Sequence, residues 1–319
     1  MPAGEFDLID RYFASLSAGD SSLVLGPGDD AAIIRPPAGD QLLMAVDTLV
    51  KDVHFLADTP AFDLGYKSLA VNASDIAAMG GVARWATLSL TLEEVNESWL
   101  ADFAAGFAEL ANAAGIQLVG GDTTRGPLAI SVQLTGTIEQ GKALTRSGAK
   151  SGDLVYVSGY PGLAACALAS LQQGDDLKAG SLALERLQRP LPRLELGRHL
   201  VELASAAIDV SDGLAADLGH ILRSSGCAAE IELENLPVAP ELALLEDDSR
   251  CYEFILSGGD DYELCFTVPP AKKEKLVQLS GDLDYPLHCI GSIVEGEGLR
   301  CLDGDGNERQ LSIAGWQHF

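Results

Sequence analysis

Aspartates on short glycine-bearing turns constrain this chain more than any other feature. Six motifs carry them: Gly28-Asp-Asp30, Val46-Asp47-Thr48, Asn72-Ala-Ser-Asp75, Gly120-Gly-Asp122, Asp209-Val-Ser-Asp212-Gly and Gly258-Gly-Asp-Asp261. Each falls at the end of a predicted element. The acidity behind them is uneven in kind, with 27 Asp against 20 Glu. Solvated helix faces would favour Glu, whereas short carboxylates on turns suit hard cations that take oxygen ligands at close range. Ordinary turn chemistry also sets Asp beside Gly, so no single motif is decisive and their convergence is the question. Two unit charges ~4 Å apart repel by about 4 kcal/mol at an effective dielectric near 20. Six together would exceed the ~5–15 kcal/mol stability of a domain. A fold that gathers these carboxylates must bring divalent cations with it, magnesium first, because it bridges carboxylates to substrate phosphates.

The rest of the composition bounds the answer. At 319 residues the chain exceeds one average domain, and 47% hydrophobic residues with 34 glycines argue against disorder despite a net charge of −26. No long Lys/Arg cluster interrupts the acidic excess, so nucleic acid and anionic membrane surfaces are poor partners. The six cysteines, Cys166, Cys227, Cys251, Cys265, Cys289 and Cys301, lack Cys-x-x-Cys spacing, which suits reduced thiols better than a zinc knuckle or disulfide framework. The start, Met1-Pro-Ala-Gly-Glu-Phe-Asp, has no leader character, and the apolar stretch from Gly162 to Leu171 is too short to span a bilayer. A cytoplasmic location is the expectation.

Periodicity predicts a helix over Glu5–Leu16, a strand over Gln41–Leu49, a long helix over Asp63–Met79 and a strand over Ala83–Leu92. A helix over Leu100–Ala114 should end at Gly115, with strands at Gln117–Val119 and Ala129–Ile138 and a Gly-Asp loop between them. In the long helix Ser68, Asn72, Asp75 and Met79 share one face, a polar stripe that needs partners. The pattern resets at Ser147-Gly-Ala-Lys-Ser-Gly-Asp153, which divides the chain into domains 1–148 and 149–319. Beyond it follow a strand at Leu154–Ser158, helices at Leu163–Leu171, Leu182–Leu187 and Arg193–Ala204, and a strand-to-helix junction at Asp209-Val-Ser-Asp212-Gly. A stretch from Ile255 to Val268, a Lys272–Leu279 helix and strands near Leu287–Val294 and Gly298–Leu302 complete it. The fold class is α+β and two-lobed.

The common phosphate and hydrolase signatures fail. There is no Walker A Gly-Lys-Ser/Thr. Gly26-Pro-Gly-Asp-Asp-Ala would turn two carboxylates on a pyrophosphate, and Pro36-Pro37 leaves no room for the dinucleotide-fold helix. Asp303-Gly-Asp-Gly-Asn has Glu308 where a calcium loop needs glycine, so it reads as a hairpin turn. A Gly-x-Ser-x-Gly elbow is missing.

Taken jointly, the motifs resemble a known family. Gly26-Pro-Gly-Asp-Asp-Ala-Ala, Asp47-Thr-Leu-Val-Lys-Asp-Val-His-Phe, Asn72-Ala-Ser-Asp-Ile-Ala-Ala-Met-Gly-Gly and Gly120-Gly-Asp-Thr-Thr-Arg-Gly are similar to those of the bacterial thiamine-monophosphate kinases. So are Leu144-Thr-Arg-Ser-Gly, Asp209-Val-Ser-Asp-Gly-Leu, Ser257-Gly-Gly-Asp-Asp-Tyr-Glu-Leu and Gly315-Trp-Gln-His-Phe, and the likeness runs from about residue 5 to residue 319. That family lies in the aminoimidazole-ribonucleotide-synthetase-like superfamily, which binds ATP without a Walker A loop. The resemblance implies a homodimer formed through a sheet of the N-terminal mixed α/β lobe, with an acidic ATP and magnesium cleft reaching a C-terminal α+β lobe. It implies direct transfer of the γ-phosphoryl of ATP to the phosphate of thiamine monophosphate, with no catalytic side chain.

Carried over residue by residue, the resemblance implies that Asp30, Asp47, Asp75, Asp122, Asp209 and Asp212 hold magnesium. Gly121, Asp122, Arg146 and Ser211 would contact ATP, and His54, Glu263 and Trp316 the substrate. One departure stands out: Ala45-Val46 precedes Asp47 where the family usually has a hydroxyl residue, so a side-chain oxygen ligand is lost. Two other readings stay open, a related enzyme such as selenophosphate synthetase or a hydrogenase maturation factor, and a non-catalytic acidic module that binds ions or nucleotide. The first depends on a reactive N-terminal residue or a C-terminal cysteine, and here the first cysteine is Cys166 and the chain ends Trp-Gln-His-Phe.

Overall fold

The computed structural model describes residues 9–13, 16, 21–174, 181–245, 248–311 and 315. The predicted opening helix lies largely outside them, and its described part, Ile9–Phe13, is a π-helical turn. Two compact units divide the chain, one of Met1–Ile76 and Gly81–Ala143, the other of Ala77–Gly80 and Leu144–Phe319.

The first unit opens with a short hairpin, β1 (Leu23–Leu25) and β2 (Ile33–Ile34), around the Gly-Pro-Gly-Asp-Asp loop. β3 (Asp40–Val50), α1 (Ala61–Ala78), β4 (Val82–Leu92), α2 (Glu97–Ala114), β5 (Gln117–Arg125) and β6 (Ala129–Glu139) follow. Asn96 caps α2 by accepting from Ser98 and Trp99 N–H, and Gly115 closes it in the left-handed region at φ 69°. The sheet order is β3-β6-β4-β5, antiparallel except for the β4–β5 pair. One face buries Leu88, Leu90, Ile130, Val132 and Leu134, and the helices contribute Leu64, Leu69, Phe103 and Phe107, all at most 4% exposed. The helices approach closely at glycines: a Cβ at Gly106 would lie 1.8 Å from the Phe62 carbonyl oxygen, and one at Gly65 1.9 Å from that of Phe103. On β3 the alternate positions Leu42, Met44 and Val46 are 46%, 72% and 66% exposed, an apolar row no other described residue covers.

The second unit runs β7 (Leu154–Ser158), α3 (Leu163–Gln173), α4 (Leu182–Gln188), α5 (Leu194–Leu200), β8 (Ala206–Val210), α6 (Leu214–Ser225) and β9 (Ala228–Glu232). Then come α7 (Asp248–Ser257), β10 (Glu263–Val268), α8 (Lys273–Ser280), β11 (Leu287–Val294) and β12 (Gly298–Leu302). Its six strands are ordered β12-β9-β11-β7-β10-β8, with only β12–β9 parallel. Apolar clusters cover both faces, one around Leu218, Ile221, Ile255 and Ile290, the other around Leu196, Leu200, Leu264 and Phe266.

Three sequence expectations are corrected. Gly120–Arg125 is strand and not loop, because it pairs in parallel with Thr87–Leu92. The helix expected over Arg193–Ala204 spans only Leu194–Leu200, because the chain turns after it and the Leu203 and Ala204 N–H groups both donate to the Leu200 carbonyl. β9 was not anticipated; its pairing with both β11 and β12 fixes it as a strand despite a mixed sequence. The expected turn at Asp303 does form: its carboxylate accepts from the N–H groups of Asp305 and Asn307 at 3.2 and 2.9 Å.

Candidate active site

In the first unit the expected residues lie on three kinds of support. Asp30 is exposed in the hairpin loop, its N–H donating to Asp29 Oδ1 at 2.9 Å. Asp75 is half-buried on α1, on the face that also carries Ser68 and Asn72. Ser68 Oγ donates to the Gly65 carbonyl at 2.9 Å and Asn72 Nδ2 to the Ser68 carbonyl at 3.2 Å, so the helix itself satisfies much of the stripe. Asn72 Oδ1 is the exception, buried with no hydrogen-bond partner.

Asp47 and Asp122 are placed by sheet register. Asp47 pairs with Val132, which pairs with Leu88, which pairs with Gly121; the next row runs Thr48, Ser131, Ser89, Asp122. Adjacent rows point to opposite faces, so Asp47 turns to the face shared with buried Val132 and Leu88, and burial pushes its carboxyl upward. Asp122 is exposed on the edge strand. Three strand spacings of ~4.8 Å put the two backbones roughly 14 Å apart. Gly121 has a reason of its own to be glycine: a Cβ there would lie 1.9 Å from the Leu88 carbonyl oxygen. His54 sits in the turn after β3 and accepts the Val50 N–H at Nδ1 at 3.0 Å, which places its own proton on Nε2.

In the second unit Arg146 is exposed, and its carbonyl accepts from Ser225 Oγ at 3.2 Å. Asp209 is 5% exposed at the end of β8, with Ser211 and Asp212 in the turn that leads into α6. That turn is held by a residue the sequence reading missed. Asp217 Oδ2 accepts the N–H groups of both Ser211 and Asp212 at 3.0 Å. Burial, then the neighbouring Asp209 charge, push the Asp217 carboxyl up to about 7. An acidic residue in the first turn after Asp-Gly was the available signal.

Glu263 differs from expectation. It is 3% exposed, and both its oxygens are occupied: Arg193 forks onto them, with Nε to Oε2 at 2.6 Å, and Ser158 Oγ donates to Oε2 at 2.5 Å. The Arg193 guanidinium lies 3.7 Å above the Tyr285 ring. Glu263 is therefore an internal ion-pair partner and not a surface presented to substrate. Nearby Asp261 is buried and accepts the Gly162 N–H at 2.8 Å; burial holds its carboxyl well above the usual range. Trp316 lies outside the described residues.

Among the described residues no three His, Cys, Asp or Glu side chains are grouped closely enough to hold a metal ion by themselves. Magnesium uses one or two carboxylates and completes its shell with water and phosphate, so a site for it does not require such a group. The side chains expected to hold the ion are all oxygen donors.

Comparison with known proteins defines the class first. Residues 28–138 match the family described as AIR synthase related protein, N-terminal domain, and residues 150–303 its C-terminal domain. The chain is 46% identical over 323 residues to the thiamine-monophosphate kinase of Escherichia coli strain K12, covering 100% of this chain and 99% of that protein. The crystal structure of thiamine-monophosphate kinase from Stenotrophomonas maltophilia K279a is similar at TM-score 0.88 and 45% identity, covering 95% and 96% of the two chains. A structure of AaThiL complexed with AMPPCP and TMP is similar at TM-score 0.77 and 33% identity, covering 99% and 97%. The chain belongs to the thiamine-monophosphate kinase family.

Proposed function

We propose that this protein transfers the γ-phosphoryl group of ATP to the phosphate of thiamine monophosphate, giving thiamine diphosphate and ADP. The observation that carries this reading is the full-length likeness to kinases of that name, one of them captured with AMPPCP and TMP. The attacking atom is an oxygen of an already anionic phosphate, so no strong general base is needed. Its bond to the γ-phosphorus forms as the bond to the bridging oxygen of ADP breaks. What the chain must supply is in-line positioning and charge neutralisation.

In the first unit Asp30, Asp47, Asp75 and Asp122 would hold magnesium, and in the second Asp209 and Asp212. Bound there, magnesium supplies the positive charge that lets an acidic site accept polyanionic substrates. Arg146 would grip phosphate oxygens with its planar fork, and Ser211 would donate its hydroxyl to them. Gly121 would leave room for the nucleotide. His54 and Trp316 would contact thiamine monophosphate, whereas Glu263 supports the structure from inside. With Ala45 and Val46 before Asp47, only backbone oxygens are left at those positions for a further ion.

The protein would act as a homodimer in the cytoplasm. The exposed Leu42, Met44 and Val46 row supports pairing of the first unit's sheet with a second copy. No helix among the described residues is long and apolar enough to cross a membrane. Purified protein given Mg-ATP and thiamine monophosphate should form thiamine diphosphate; no product at any magnesium concentration overturns the assignment.

A further inference from the structure

We infer that Asp217 is a positioning residue for this reaction: its carboxylate locks the turn at 210–213 so that the Ser211 hydroxyl and the Asp212 carboxylate are presented to the nucleotide phosphates and their metal. The inference rests on the proposed kinase activity and deepens it.

The turn is held from both sides. Asp217, 3% exposed in the first turn of α6, accepts the Ser211 and Asp212 N–H groups at 3.0 Å, and its own N–H donates to the Gly213 carbonyl at 2.9 Å. From the opposite side, Asp260 N–H donates to the Ser211 carbonyl and Tyr262 N–H to the Val210 carbonyl, both at 2.8 Å. Those two donors stand in the left-handed region, at φ 71° and 54°, a strained backbone for residues with side chains. Gly259 packs so tightly that a Cβ would lie 2.4 Å from the Ser211 oxygen. The N–H groups of 211 and 212 and the carbonyls of 210 and 211 are thus spent internally. Ser211 and Asp212 therefore have their side chains, and not their N–H groups, to offer a ligand.

Residues that hold ligating groups in place typically carry 10–100-fold of affinity or activity. Asp217→Ala should raise KM for ATP at least tenfold and leave KM for thiamine monophosphate within twofold. Asp217→Asn, which keeps an acceptor oxygen at the same place, should stay within about threefold of wild type. Asp217→Glu, which keeps the charge but displaces the oxygen by a methylene, should behave like Asp217→Ala, so the inference stays testable if the alanine variant fails to fold. The inference is overturned if Asp217→Ala changes only the melting temperature, if Asp217→Asn is as damaging as Asp217→Ala, or if Asp217→Glu is kinetically wild type. Calorimetric titration with Mg-AMPPCP separates the two claims. Lack of turnover by wild type refutes the kinase assignment alone, and AMPPCP binding weakened at least tenfold by Asp217→Ala or Asp217→Glu still supports positioning, whereas unchanged binding refutes it.

Discussion

Replacing Glu263 by glutamine decides between two roles for one residue. Family resemblance implies a substrate contact, and the structure places the side chain in a buried ion pair with Arg193, the two residues 3% and 4% exposed. Two opposite charges ~4 Å apart attract by about 4 kcal/mol at an effective dielectric near 20, and removing one partner of a buried pair destabilises by ~3–5 kcal/mol because a desolvated charge is left behind. Two features put Glu263→Gln at the low end. The amide oxygen can still accept one Arg193 N–H, and the Tyr285 ring 3.7 Å from the guanidinium continues to stabilise the cation. About 3 kcal/mol remains, and at ~2–4 °C per kcal/mol for a domain of this size the melting temperature should fall by about 10 °C. Scanning calorimetry with steady-state kinetics is the assay, with Arg193→Met and the double variant Arg193→Met/Glu263→Gln completing the cycle. The double variant should melt well above the sum of the single losses, since each single change strands the other's charge. A Glu263→Gln protein that melts like wild type but shows a raised KM for thiamine monophosphate would refute the ion-pair account and restore the substrate contact.

Three further outcomes are expected. Asp122→Asn and Asp75→Asn should each abolish turnover and the rise in melting temperature that saturating Mg-ATP gives wild type; wild-type turnover in either removes that residue from the metal set. Gly106→Ala should lower stability, because over-packing of ~1–3 kcal/mol against the Phe62 carbonyl, 1.8 Å from the new Cβ, outweighs the ~1 kcal/mol gained in helix propensity; an unchanged melt contradicts the close helix approach. Asp261→Asn tests a titration. Burial raises the Asp261 carboxyl well above its ordinary value, so the folded state keeps this proton longer than the unfolded state does. Its contribution to stability is complete below the usual carboxylate range and is lost as pH rises through the raised value. Wild-type stability measured relative to Asp261→Asn should accordingly fall as pH increases, and a pH-independent difference counts against it.

Sequence pattern revealed elements wherever one physical signal dominated. α2 carried both helical spacing and a terminal glycine, and its structure runs Glu97–Ala114 with Gly115 in the left-handed region. β3 and β4 were legible from long apolar runs. β5 misled, because Gly-Gly-Asp-Thr-Thr is locally turn-like and its strand character comes from pairing with β4. β9, reading Ala-Ala-Glu-Ile-Glu, likewise owes its conformation to two neighbours distant in sequence. Arg193 and Glu263 lie 70 positions apart, and nothing local marks either as a member of a pair. The aspartate motifs were visible one by one. Which carboxylates are turned inward and satisfied by N–H donors, and which remain open, is tertiary information.

That sorting supplies the argument for magnesium that composition could only suggest. Asp261 and Asp217 are buried and meet backbone N–H groups, so their oxygens already have donors. Asp30 and Asp122 are exposed on a loop and a sheet edge, neither within ion-pair distance of a basic side chain among the described residues. Asp47 is partly buried, and its carboxyl is pushed upward by that burial with no compensating cause. Carboxylates of the second and third kinds are the ones a cation would stabilise most. Their spacing limits how. Asp47 and Asp122 point to opposite faces of one sheet with backbones roughly 14 Å apart, farther than two aspartate side chains can reach through an ion bound at ~2 Å. If both hold magnesium as proposed, these two residues of one protomer would serve different ions.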